Sequence, residues 1–95
     1  METLLLDYRT ADLPWTEKQV QDALDLGVGR VILNLDHLPM LDADGVRGLI
    51  ELLRRSRTAG SGEIALQASK PEVLRTLSVT ALDRLFTILT PDGAL

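Results

Sequence analysis

Apolar residues fall along this chain in compact clusters, and the spacing within each cluster names the element that can bury it. The first cluster, Leu4-Leu5-Leu6, predicts a short strand over residues 3–6, although three consecutive leucines fit a helix equally well. Residues 7–14 are polar and irregular and end at Pro14. A helix is expected to start at Thr16. Gln19 stands three positions on, as in a capping box, and Trp15 and Val20 occupy the hydrophobic-staple positions. Trp15 therefore reads as a staple at the edge of the core and not as a ligand-stacking ring. Val20, Ala23 and Leu24 supply the inward stripe, and Gly27 is a natural terminator.

Val31, Ile32, Leu33 and Leu35 form an apolar run broken only by Asn34, a pattern typical of strands covered on both faces. After a connection at residues 37–40, the period becomes helical from Val46. Val46, Leu49, Ile50 and Leu53 fall at i, i+3, i+4 and i+7 and predict one buried face. Arg47, Glu51 and Arg55 run down a second face, and Arg54, Arg55 and Arg57 gather in the last turn, where they complement the helix dipole. Such a charge run reads as a solvated face. Residues 59–62 form a loop, and residues 64–68 a second core strand. Ser69 and Glu72 have capping-box spacing with Pro71 in the first turn, and Val73, Leu74 and Leu77 form the next buried stripe. A short helical turn over residues 79–86, a last strand over 86–89 and a stop at Pro91-Asp92-Gly93 complete the chain. The alternation predicts an α/β fold, with a mixed central sheet of about four strands and right-handed crossovers that place the helices mainly on one face.

Length and composition narrow this picture. Ninety-five residues suit one domain over residues 1–95, and an aromatic content of 3% leaves the core to aliphatic side chains. A net charge of −4 argues against general nucleic-acid binding, which needs a basic footprint. Without cysteine there is no disulfide framework or thiolate metal site, and His37, the only histidine, reads as a solvated loop residue. No apolar run approaches the roughly 18 residues of a membrane span. Residues 1–7 are acidic at both ends, unlike a signal peptide, so a cytoplasmic location is expected.

The candidate site is the junction between the first core strand and the arginine-bearing helix, Asp42-Ala43-Asp44-Gly45. Helix capping explains one of its aspartates well and two less well, and Gly45 lets the backbone approach something closely. An Asp-x-Asp after a buried strand resembles the acid pair of haloacid-dehalogenase phosphatases. The pair lies seven or more positions past Leu35, however, with no threonine at the expected spacing. Asp42, Asp44, Gly45 and Glu51 also match positions 3, 5, 6 and 12 of an EF-hand loop, but Met40 at position 1 cannot ligate a hard cation. Neither a metal nor another cofactor is expected. No nucleophile–base pair or phosphate-cradling glycine loop is present either, so the chain does not read as an enzyme.

Asp42-Ala43-Asp44-Gly45-Val46, followed about thirty residues on by Leu77-Ser78-Val79-Thr80-Ala81-Leu82-Asp83-Arg84-Leu85-Phe86, resembles the STAS family, which includes the bacterial anti-sigma factor antagonists. Its members typically carry Asp-Ser-Ser-Gly-Leu at this junction and a closing segment similar to L-x-x-T-G-L-D-x-L-F. The resemblance covers residues 29–89. It implies a regulatory protein–protein interaction domain whose partner is an anti-sigma factor or a serine kinase of the GHKL ATPase type. In such relatives the hydroxyl residue just before the glycine is phosphorylated, which releases the partner. Here Asp44 occupies that phosphorylation-site position and Ala43 replaces the other serine, so the familiar switch cannot operate. The resemblance places the partner-binding surface at Asp42, Ala43, Asp44, Gly45 and Arg47. Asp42 would cap the helix, and Asp44 would supply a fixed charge that imitates the phosphorylated state. It also implies a strand pair at the start and a helix at the end, so the domain is expected to be shortened at both. A sheet edge left open in that way would recruit a partner or a second copy, giving a homo-oligomer. Two alternatives stay open: a STAS-like non-catalytic subunit of a lipid or anion transport system, and a divalent-cation-dependent phosphohydrolase using Asp42 and Asp44.

Overall fold

A computed structural model describes residues 3–59 and 62–90, with residues 56–59 described by their backbone alone. The order is β1 (Thr3–Asp7), a 3-10 turn (Thr10–Asp12), α1 (Leu13–Asp25), β2 (Arg30–Asn34), α2 (Ala43–Ala59), β3 (Glu63–Gln67), α3 (Pro71–Val79), α4 (Leu82–Leu85) and β4 (Thr87–Leu89). The expected alternation and the four strands are present, in the spatial order β1-β2-β3-β4. All three strand pairs are parallel, so among the described residues the sheet is parallel and not mixed. Right-handed crossovers that advance one strand at a time place every helix on the same face.

Register explains which side chains make the core. Leu6, Leu33, Leu66 and Ile88 stand side by side across the four strands, and Leu4, Val31 and Ile64 form the row before them. Val31, Leu33, Leu35 and Leu66 are fully buried. The run at residues 31–35 is nevertheless covered fully on one side only. Ile32 is half-buried between Leu5 and Ala65, on the face away from the helices, so the expectation of two covered faces is corrected.

Three helix details also differ from the sequence reading. α1 begins three residues before Thr16: Asp12 caps it by accepting from the Trp15 amide at 3.2 Å, and Pro14 sits in the first turn. Thr16 is buried within the helix, its hydroxyl turned back on the Asp12 carbonyl at 3.3 Å. Trp15 does not staple; the Arg9 guanidinium lies 4.6 Å from its ring centroid. In α3, Ser69 makes no cap, because its amide and hydroxyl both donate to Asp36, at 2.7 and 3.0 Å. The largest change is in α2. Gly45, Gly48, Leu49 and Leu52 are its buried residues and Val46 and Leu53 pack half-buried against the core, while Ile50 stands 42% exposed. Two glycines let the helix approach its neighbours closely, and that rotates Ile50 outward. The side chain of Arg57 and the segment Pro91-Asp92-Gly93 lie outside the described residues.

Candidate functional site

The site stands where the loop after β2 enters α2, and the loop is held from three sides. Leu38 and Leu41 are buried as its apolar pins. Asp36 accepts from Ser69 at the start of the β3–α3 connection, and the Lys70 ammonium donates to the Leu38 carbonyl at 2.9 Å. Met40, between the two leucines, is 60% exposed. The carboxyl ends of the parallel strands therefore fix the level at which α2 begins, and the exposed residues ride on a rigid base.

Asp42 is the residue before α2, and its carboxylate accepts from the Gly45 amide at 2.9 Å while its carbonyl accepts from the Val46 amide at 2.9 Å. This is an N-cap. Asp42→Ala is expected to cost about 1 kcal/mol of folding stability, read as a lower urea midpoint, and Asp42→Asn to recover most of it. Asp42, Ala43, Asp44 and Arg47 are exposed, and Gly45 is buried. Asp44 lies in the first turn, where a negative charge is favoured by the helix dipole, and its carboxylate bonds to no other described residue. Arg47, one turn on, is likewise without an ion-pair partner among the described residues. Two further arginines of α2 are engaged: Arg54 with Glu51 at 2.9 Å and Arg55 with Glu17 of α1 at 3.4 Å. Met40 in the loop and Asp44, Arg47 and Ile50 on α2 are all exposed, so apolar and charged side chains both reach solvent around the start of the helix.

Gly45 contributes from beneath. A Cβ there would come within 2.8 Å of Leu41 Cδ1 and 3.2 Å of Thr10 Cγ2, so the close approach it permits is internal. Tyr8 and Gly48 carried no expectation from the sequence, yet both shape the turn. The Tyr8 ring is completely buried and its hydroxyl donates to the Gly45 carbonyl at 2.6 Å. A Cβ on Gly48 would overlap that hydroxyl oxygen and lie 2.9 Å from Leu13 Cδ2. The legible signal was the pair Gly45 and Gly48, three apart on one helix face, which implies that something bulky comes close. Burial pushes the Tyr8 phenol well above its ordinary range, and the charges of Glu17 and Asp42 push it in the same direction. It is a neutral hydrogen-bond donor at physiological pH.

Among the described residues, no three His, Asp or Glu side chains converge as a metal site would require, and no helix is long and apolar enough to cross a membrane. No curated protein sequence matches the chain. Its arrangement is shared by solved structures. One is TM1081 from Thermotoga maritima, a candidate anti-sigma factor antagonist by the description of its crystal structure. It is 26% identical with a TM-score of 0.67 over 92% of this chain and 72% of its own. Another is the anti-sigma factor antagonist SpoIIAA in its unphosphorylated form, 18% identical with a TM-score of 0.69 over 96% of this chain and 83% of its own, a likeness of fold. The model of the STAS domain matches residues 6–92, nearly the whole length. With the parallel sheet and the loop–helix junction in place, this chain belongs to the STAS domain family.

Proposed function

We propose that this protein is a regulatory interaction domain of the anti-sigma factor antagonist kind, and that the first turn of α2 is its partner-docking surface. The partner is an anti-sigma factor or a GHKL-type serine kinase. The observation that carries this reading is the placement of Asp44. It stands exposed on the first helical turn, immediately before buried Gly45, with its carboxylate bound to no other described residue. In the family pattern that position holds the phosphorylated hydroxyl. An aspartate carries about one negative charge against the roughly 1.5 to 2 of a phosphoserine, so it imitates the modified state in sign and falls short in magnitude. The regulatory reading therefore has a fixed charge in place of a reversible one.

The likeness to TM1081, described as a candidate anti-sigma factor antagonist, supports this reading at the level of the domain. A metal-dependent hydrolase would need Asp42 and Asp44 to converge on one ion, whereas the Asp42 carboxylate is bonded to the backbone of its own helix. No observation favours a transport subunit over the docking domain.

The test exchanges the charge for the hydroxyl. Asp44→Ser is expected to bind a GHKL-type kinase from the same cell more tightly than the wild type, and to accept a phosphoryl group from ATP at residue 44. Captures of partners on the two baits, compared side by side, measure the first effect, and phosphate incorporation measures the second. Equal binding by both forms with no phosphorylation would overturn the fixed-charge reading.

A further inference from the structure

We infer that Tyr8 is the positioning residue for this docking turn, acting through the Gly45 carbonyl; the inference rests on the docking reading above. Tyr8 lies just beyond β1, 37 residues before Gly45, and its own amide donates to the Asn34 carbonyl at 3.0 Å. Its backbone is thus a continuation of the sheet ladder. Its hydroxyl reaches across to the first turn of α2. The two sides of Gly45 are held by different elements. Asp42 holds the amide from within the helix, and Tyr8 holds the carbonyl from the sheet. Asp44, joined through its carbonyl carbon to the held Gly45 nitrogen, has no side-chain bond of its own to another described residue, so its place is set by its neighbours.

A phenylalanine would fill the same space, so the hydroxyl is not needed for packing. Nor is it needed by Gly45, whose carbonyl in an α-helix already faces the amide four residues on. Its contribution is directional. A buried phenol must find an acceptor, and the one it uses fixes the distance and rotation of the helix end relative to the sheet. Gly48 completes the device, because only a residue without a side chain leaves room for the hydroxyl on that helix face. Tyr8, Gly45 and Gly48 act as a latch and its notch. The exposed charge is carried on the latched turn.

The experiment is amide hydrogen exchange on the full chain and on Tyr8→Phe. Loss of the latch is expected to lower protection at Gly45 and Val46 about five- to tenfold more than at Leu66 in the central strand. A merely structural role would lower all three together through global stability, and that result, or no change, would overturn the inference. The notch is tested by Gly48→Ala in both backgrounds. Its cost is expected to be smaller beside Tyr8→Phe, where the clashing hydroxyl is gone, and strictly additive costs would overturn it. Neither measurement uses a partner. If the Asp44→Ser comparison failed while these effects appeared, the fixed-charge reading would fall and the latch would stand.

Discussion

Leu66→Ala is expected to remove about 3 kcal/mol of folding stability, within the usual range of about 2 to 5 for a leucine truncated in a closed core. Leu66 lies on β3, between Leu33 and Ile88 in the same row, and none of its surface reaches solvent. β3 is bonded on both edges, so the backbone cannot close the space left behind. A domain of this length holds roughly 5 to 14 kcal/mol in total, which makes this single change a large share of it. The melting temperature should fall by on the order of 15 °C. Urea unfolding followed by the fluorescence of Trp15, the only tryptophan, should show a lower midpoint with an unchanged slope. A loss below about 1 kcal/mol would mean that the row repacks around the gap, against the close-packed register described above. The comparison that gives the number meaning is Ile50→Ala. Ile50 is 42% exposed, and its truncation should cost well under half as much.

That contrast shows where periodicity is informative and where it stops. Leu33 and Leu66 sit in runs whose period and length admit only a strand within an alternating chain, so their burial follows from the pattern. Ile50 obeys the helical period equally well, yet faces outward. The difference is set by glycine, which has no side chain to register as apolar or polar and so drops out of the pattern. Gly45 and Gly48 turn the α2 face because Tyr8 and Leu13 arrive from a distant part of the chain, and a local window cannot contain that meeting. The cap expected at Ser69 failed for a related reason. Ser69 had the right spacing, but Asp36, 33 residues earlier, claims both its amide and its hydroxyl. Asp42 had no such competitor and caps α2. The loop–helix junction was legible because its chemistry is local; the support beneath it was not, because Tyr8 and Lys70 reach it through the tertiary fold.

The buried phenol makes a second large effect, in alkaline solution. In the unfolded chain Tyr8 releases its proton near pH 10. In the folded protein burial holds the proton on, and the charges of Glu17 and Asp42 raise the phenol further. Above about pH 10 the folded state therefore binds more protons than the unfolded state, and stability falls as pH rises. The contribution is fully present below pH 10 and drains away as the pH climbs from there toward the raised folded value. Tyr8 is the only tyrosine, so the ultraviolet absorbance of ionised phenol reports this group alone, while Trp15 fluorescence reports unfolding. The two signals are expected to move together, because the proton leaves when the latch opens. Tyr8→Phe begins about 1 kcal/mol less stable, having lost one hydrogen bond, but its stability should decline less steeply above pH 10. Every other ionisable group is common to both proteins, so the difference between the two slopes isolates the phenol. Parallel slopes, or a phenol that ionises near pH 10 while Trp15 fluorescence stays native, would show that the hydroxyl reaches water, and the seal over the first turn of α2 would then be open.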